Sequence, residues 1–427
     1  MAPQKKTTPA KPVPATSTVP TNANEDFAAD LVRQINKELG SRVAYNLSTD
    51  DAPTNINHWT SLGSMQLDRI ISNKSIGGLP EGRIIEIQSQ PSTGKTHLAY
   101  EAAKDTQRNG GIVVYIDAEH ATSVANLELV GINIRKNFVF VEESCTESIL
   151  TIIESTVLKA RALAEAKKNI PVLVVWDSVS ASCPKAELEG TYEQNTIGLQ
   201  ARVLSKGMRK LASVIANQRV TLLLISQQRE KIGVMFGDPT TTPGGKAIPY
   251  HSSVRIKLNG GQQIKKTING KEIVVGIHVS AKIIKNKVAR PWREVEFEII
   301  FGKGVQETEQ LFDALREYCD FQVKAEKPIV TSDGKARILV DGGGAWKHFT
   351  VTDTKTGEVL KDVTFHKTDF TEKVLKVPEL KPYVDCLMDA CFIMNTEDAE
   401  HITAASVDTT SVEEMEAVEL EHSTDQP

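Results

Sequence analysis

No apolar run in this chain of 427 residues comes near the roughly 20 residues that a membrane-spanning helix requires. Runs such as Val172–Trp176 and Leu222–Ile225 have the length of buried strands instead. The opening MAPQKKTTPAKPVPATSTVP lacks the apolar stretch of a secretory signal. Cysteine is scarce: the five (Cys145, Cys183, Cys319, Cys386 and Cys391) are odd in number, widely spaced and without a CxxC pair. Neither a disulfide framework nor a zinc site is supported, and the reading is a reduced, cytoplasmic chain with no membrane partner. A composition of 40% hydrophobic and 25% charged residues excludes collagen-like, mucin-like and wholly disordered classes. The length suggests about two or three domains.

An excess of basic charge is missing too, since 50 Lys and Arg face 55 Asp and Glu. The distribution changes what this means. Residues 397–427 hold ten acids and no Lys or Arg, so the remaining chain has 50 bases against 45 acids, a body of +5. Such a tail either competes with DNA for a cationic surface or only aids solubility.

Residues 1–24, with five Pro, three Lys and no acid, read as a flexible arm. Residues 25–40 show helical spacing at Phe27, Leu31, Ile35 and Leu39 before Gly40, a helix that either packs on its own core or docks on a neighbour; 25–59 are expected to be an N-terminal oligomerisation helix and linker. From 60 to 304 strands and helices alternate. GRIIEIQ, GIVVYID, VLVVWD and TLLLIS are apolar on both faces, as strands of a helix-covered parallel sheet are. Helices are expected over Lys95–Asn109, Thr146–Lys168 and Gly198–Asn217. SVRIKL, HVSAKIIK and REVEFEIIF read as antiparallel extensions. The fold class is therefore α/β with a mainly parallel central sheet. Residues 305–396, with helices expected over Glu307–Tyr318 and Leu380–Ile393, form a small α+β domain, and 397–427 an acidic disordered tail.

Ser89-Gln90-Pro91-Ser92-Thr93-Gly94-Lys95-Thr96 follows a strand and opens a helix, the setting of a phosphate-binding loop. Amides at the helix start and the helix dipole favour phosphate. Lys95 would reach the β- and γ-phosphates of ATP and Thr96 would ligate Mg²⁺. The usual pattern begins with Gly, and Ser89 stands there, so the loop must start in a conformation that Ser tolerates. Asp177 ends VLVVW, where ligands bind in open α/β sheets, and could hold Mg²⁺ through water. In Asp117-Ala-Glu119-His120, Glu119 could orient the attacking water, while His120 reads as structural. Gln227 ends another strand and could sense the γ-phosphate. The Gly/Pro/Thr-rich stretch 228–246 behind it is long enough to order and disorder with nucleotide state. On the helix over 198–217, Leu199, Val203, Leu211 and Ile215 mark an apolar face, and Arg202, Lys206, Arg209 and Lys210 lie largely elsewhere. A solvated charged face is the usual explanation of such a pattern, and contact with DNA phosphates becomes the better one only beside DNA-binding loops.

The segments GGLPEGRIIEI, PSTGKT, YIDAEH, PKAELEG, IGLQARVLSKGMRKLA, EKIGVMFGDP, TTTPGGKA and KIIKNKVA stand in one order that resembles the RecA family of recombinases, bacterial and phage (UvsX-like), over roughly residues 60–305. Several long motifs in one order are far more specific than any single pattern. The resemblance implies a RecA-type P-loop core: a DNA-dependent ATPase that forms helical filaments on single-stranded DNA and exchanges strands with homologous duplex DNA in recombination and repair. Single-strand-binding and loader proteins are candidate partners. By the same resemblance Glu119 is the catalytic acid, Lys95 and Thr96 the phosphate-loop pair, Asp177 the second nucleotide motif and Gln227 the sensor. Lys285 and Lys287 reach a neighbouring subunit's nucleotide. Glu187–Gly198 matches a first DNA loop, with Ile197 as a base-separating side chain beside Gly198, and Arg202, Ser205 and Arg209 follow on the helix behind it. Arg229–Gly245 matches a second loop, with Arg229, Lys231, Met235, Phe236, Gly244 and Gly245. Ile197, where the family often has Met, Ser123, Pro243 and a long 320–375 region depart from the bacterial pattern and favour a phage or otherwise divergent member. A ring helicase or translocase would share Lys95, Glu119 and Asp177 but not Lys285-Asn286-Lys287, and a non-catalytic mediator would be free to lose Glu119 and Gln227.

Overall fold

β-Branched runs separated by amphipathic helical segments build the molecule around one large sheet. The computed structural model describes residues 22–165, 170–191, 198–230, 240–241 and 244–394. The chain divides by contact into residues 1–55 and 56–427. In the first part α1 spans Asn22–Leu39 and leaves Phe27, Leu31 and Leu39 exposed, the stripe anticipated from its spacing. The Asn36 side chain pins the chain after it, accepting from the amides of Val43 and Ala44 at 2.8 Å each.

In the second part a two-residue ribbon, β1 (Trp59–Thr60) with β2 (Leu79–Pro80), flanks α2 (Met65–Ser72). The central strands are β3 (Ile84–Ser89), β4 (Ile112–Asp117), β5 (Phe138–Glu142), β6 (Val172–Asp177) and β7 (Thr221–Gln227). Short β8 (Arg229–Glu230) and β9 (Thr240–Thr241) pair with each other. Then come β10 (Val254–Ile268), β11 (Lys271–Asn286), β12 (Glu294–Ile300) and β13 (Gly304–Glu307). The nine-stranded sheet runs β13-β12-β11-β10-β3-β7-β6-β4-β5. Pairs from β10 to β5 are parallel and those from β10 to β13 antiparallel, so β10 is the strand on which the sheet changes sense. The edge strand β5 went unread in the sequence; it is an apolar run like its neighbours, but three of its five residues are exposed.

Helices cover both faces. They are α3 (Lys95–Arg108), α4 (Val124–Leu129), α5 (Thr146–Glu165), α6 (Lys185–Leu188), α7 (Leu199–Asn217) and α8 (Ala247–His251). Alternate strand residues enter different cores. Ile85, Ile87, Val113, Tyr115, Leu173 and Val175 pack with α3, and Ile84, Val114, Ile116, Val172, Val174 and Trp176 pack with α5 and α7. Two-sided burial is why these strands read as unbroken apolar runs. The buried face of α7 is Leu204, Met208, Leu211 and Ile215, a correction to the stripe expected through Leu199 and Val203, which are only half-buried. Gly207 lets α7 approach α5, since a Cβ there would sit 2.4 Å from Leu150 Cδ1.

After the sheet, α9 (Glu309–Lys324) and α10 (Lys381–Phe392) pack with an antiparallel sheet of β14 (Ala336–Asp341), β15 (Trp346–Asp353) and β16 (Val359–His366). Glu307 does not begin a helix as expected. It closes β13, and its half-buried carboxylate accepts from Gln66 Nε2 at 2.7 Å and from Ser64 Oγ at 3.1 Å, which shapes the start of α2. Arg69 of α2, 3% exposed, reaches Asp389 at 2.8 Å and Asp385 at 3.3 Å on α10.

Candidate functional site

The phosphate loop lies between the end of β3 and the start of α3. Ser92 (φ 61°) and Gly94 (φ 95°) are left-handed, whereas Ser89 is not, so the position that usually carries Gly needs no special backbone here. Gly94 caps α3, and a Cβ on it would lie 2.2 Å from Ile299 Cδ1. The first turn of α3 itself has no acid, so its amides and Lys95 form an anion-attracting end. Lys95 Nζ donates to Gln90 O at 2.9 Å, Ser89 Oγ at 3.0 Å and Ser89 O at 3.4 Å. Burial pushes its ammonium below the usual lysine range, with Asp177 and Glu119 pulling the other way.

Thr96 Oγ1 donates to Asp177 Oδ2 at 2.9 Å, so α3 and the end of β6 meet as the two motifs required. Tyr115 OH, from β4, donates to the same oxygen at 2.6 Å. Burial pushes the Asp177 carboxyl up to about 6. A hydroxyl and a carboxylate together are the hard oxygen donors that suit Mg²⁺.

Beyond β4, Asp117 shapes the turn that carries Glu119, accepting from the amides of Glu119 at 2.9 Å and Thr122 at 2.9 Å. Glu119 Oε1 accepts from Ser178 Oγ at 2.6 Å and from Gln227 Nε2 at 2.7 Å. The acid and the sensor anticipated in sequence are therefore in direct contact, at the carboxyl ends of β4 and β7. Ser178 and Tyr115 escaped the sequence reading; their only signals were adjacency to Asp177 and a polar tip inside an apolar strand. His120 lies outside this cluster, with Nδ1 2.8 Å from Glu142 Oε1, whose carboxylate raises its pKa.

Lys285 and Lys287 lie elsewhere. Lys285 is in register with Arg255 of β10, which is in register with Glu86 of β3 and bonds its carboxylate at 2.6 Å. The Lys287 amide donates to Ser253 O at 2.9 Å, beside the start of β3. Both lysines thus sit toward the start of β3, while the chain's own phosphate loop follows its other end. Lys285 Nζ donates to the α8 carbonyls of Pro249 at 2.6 Å and Tyr250 at 3.0 Å, and burial, with Lys287 and Arg255 adding to it, lowers its pKa.

Arg202, Ser205 and Arg209 of α7 line a cleft of about 510 Å³ with Gly244, Lys246, Tyr250 and His251. Arg202 and Arg209 are exposed, Gly198 caps the start of α7, and Gly245 is exposed beside Gly244. Arg229 lies on β8 and is exposed. Ile197, Lys231, Met235 and Phe236 lie outside the described residues. Ser123 caps α4, its Oγ accepting from the Asn126 amide at 3.2 Å. A larger cavity of about 990 Å³, near Val330, Tyr383 and Asp389, holds none of the site residues. Among the described residues no helix is long and apolar enough to cross a membrane.

A phosphate loop opening α3, an acid at the tip of β6 and a second acid beyond β4 define a nucleotide-binding α/β protein of the P-loop class. The family of the RecA N-terminal domain matches residues 27–306. Proteins named Protein RecA from Staphylococcus aureus strains JH9 and Newman are each 38% identical over 332 residues, covering 78% of this chain and 81% of theirs. The chain belongs to the RecA family of DNA recombinases.

Proposed function

We propose that the chain hydrolyses ATP with Mg²⁺ while coating single-stranded DNA as a helical filament, and that it pairs this DNA with homologous duplex and exchanges strands. The family supports this reading, and the observation that carries it to particular residues is the meeting of Thr96 with Asp177 beside that of Glu119 with Gln227. Lys95 and the α3 amides hold the β- and γ-phosphates, and Thr96 and Asp177 hold the cation. Bound Mg²⁺ neutralises charge developing on the phosphates. Glu119, held by Ser178, orients the attacking water and takes its proton. Gln227 leaves Glu119 for the γ-phosphate and so links nucleotide state to the loop behind it. Lys285 and Lys287, remote from their own phosphate loop, complete the site of a neighbour. That arrangement makes a head-to-tail contact, which builds an open helix.

The cleft of Arg202, Ser205 and Arg209, which Gly244 also lines, takes the DNA backbone together with Gly198, Gly245, Arg229 and Lys231; Ile197 with Met235 or Phe236 separates bases. Residues 60–304 act as ATPase and DNA-binding core, 25–59 as oligomerisation segment and 305–396 as an accessory domain. Single-strand-binding and loader proteins are expected partners, and the cytoplasm is the expected compartment. Electron microscopy with single-stranded DNA and a slowly hydrolysed ATP analogue tests the reading. Extended helical filaments are expected, and closed rings or unassembled protein would overturn it.

A further inference from the structure

We propose that Cys145 and Cys183 form a dithiol site that peroxides and small disulfides convert to a disulfide and that thiols restore. The inference does not depend on the nucleotide or DNA readings above. All five cysteines are thiols, and the backbone sets this pair apart. Although distant in sequence, Cys145 and Cys183 are partners in an isolated parallel bridge. The Cys183 amide donates to Ser144 O at 2.9 Å, and the Thr146 amide donates to Cys183 O at 2.8 Å. Chains paired in this way run about 4.7–4.9 Å apart, with partner side chains leaving on one face. A disulfide needs its two Cα atoms roughly 4.4–6.8 Å apart, so the bridge supplies the required spacing.

Neither side of the bridge is free to drift. Glu143 Oε1 accepts from the Cys145 amide at 2.8 Å. Beside Cys183, Ser182 Oγ accepts from the Thr146 hydroxyl of α5 at 3.2 Å, and Ser182 O accepts from Gln200 Nε2 of α7 at 2.7 Å. Glu147 ties the two sides together: its Oε2 accepts from the Lys185 amide at 2.8 Å and from Cys145 Sγ at 3.7 Å. Cys145 is buried and Cys183 half-buried, so a small oxidant reaches the pair from the Cys183 side. A buried cysteine ordinarily acts as a small apolar side chain. A second one bridged to it is what adds chemistry.

With hydrogen peroxide, the two S–H bonds and the O–O bond break and an S–S bond forms. The two thiol protons and two electrons reduce the peroxide to two waters. Glu147 is placed to take the Cys145 proton. A low-molecular-weight disulfide gives the same product by exchange and is released as two thiols. Burial, with Glu187 and Cys145 beside it, raises the Cys183 pKa, so proximity rather than a ready thiolate drives closure. The other cysteines are worse placed. Burial pushes Cys319 up to about 11 and Cys391 up to about 12, and it raises Cys386 as well.

The experiment treats the full-length protein with hydrogen peroxide or oxidised glutathione, blocks remaining thiols with N-ethylmaleimide and maps the unreduced peptides by mass spectrometry. A linked peptide joining Cys145 to Cys183, reversed by dithiothreitol, is expected to exceed any bond among Cys319, Cys386 and Cys391 by about tenfold. Unfolding the chain in guanidinium before oxidation should erase that preference. Cys145→Ser and Cys183→Ser should each remove the linked peptide, and the map of the unsubstituted chain decides alone if either variant fails to fold. Recovery of both residues as thiols while other cysteines oxidise would overturn the proposal. A link between two chains, a glutathione cap left on Cys183 beside a free Cys145, or an equal preference in the unfolded chain would do the same.

Discussion

Replacing Glu119 by Gln keeps size and shape and removes the negative charge, so its outcome can be worked out from the contacts. Glu119 Oε1 accepts from Ser178 Oγ at 2.6 Å and Gln227 Nε2 at 2.7 Å. An amide oxygen can accept both, so the loop after β4, held separately by Asp117, keeps its form. Two consequences follow with different signs. The group that takes the proton from water is gone, and general-base contributions of about 10²- to 10⁴-fold set the expected fall in turnover, or roughly 3–5 kcal/mol of barrier. The bond holding Gln227 weakens as well, because a hydrogen bond to a charged group is worth about 1.5–3 kcal/mol and a neutral one about 0.5–1.5. Gln227 is then released to the γ-phosphate at less cost, and affinity for ATP stays level or rises by up to about tenfold. The assay is DNA-stimulated phosphate release beside equilibrium binding of a slowly hydrolysed analogue. Hydrolysis by Glu119→Gln at the unsubstituted rate would refute the assigned role. Loss of nucleotide binding together with turnover would refute the claim that Glu119 acts on water rather than on the nucleotide's hold.

Three further outcomes are expected. Co-assembling Lys285→Ala subunits with Glu119→Gln subunits on DNA should restore part of the turnover that each lacks alone, since some interfaces then join two intact halves; no recovery in mixed filaments would rule out a shared site. Ending the chain near Asn395 removes ten acids and leaves a body of +5. Duplex affinity should then rise most at low salt and converge with the full chain as the screening length shortens to about 8–10 Å near physiological ionic strength, whereas superimposable salt series would eliminate competition by the tail. Burial pushes Asp68, which accepts from the Leu62 amide at 2.9 Å and from Ser61 Oγ, up to about 8 against 3.8 for the free carboxyl. Between those values folding takes up a proton, so stability falls as pH rises, by at most about 1.4 kcal/mol per unit. Melting curves from pH 5 to 8 should show that fall, and Asp68→Asn should flatten it, leaving a shallower decline because burial also raises Asp105 and Glu307; an identical slope in the variant would place the titration elsewhere.

The phosphate loop was legible because its chemistry is local: the residues that cradle phosphate are consecutive, and a strand before and a helix after suffice to aim them. The buried strands were legible for a related reason, as two-sided burial leaves an unbroken apolar run that a single segment displays by itself. Residues 89–96, the α/β class and the ends of β4, β6 and β7 where Glu119, Asp177 and Gln227 stand all follow from such local patterns. What only the tertiary structure decided is which tips meet. Glu119, Ser178 and Gln227 converge from three strands, and Tyr115 reaches Asp177 from inside an apolar run, because sheet order and register set those distances and no spacing along the chain encodes them. The same reason explains the misread start of α9. Glu307 looks like the first acid of a helix in sequence, but β13 and the waiting amides and hydroxyl at the start of α2 claim it instead. It also explains Lys285, whose place toward the far end of β3 from the phosphate loop appears only once β10 and β11 are laid beside that strand. A linear pattern states what a residue can do, and the register of the sheet determines what it does it to.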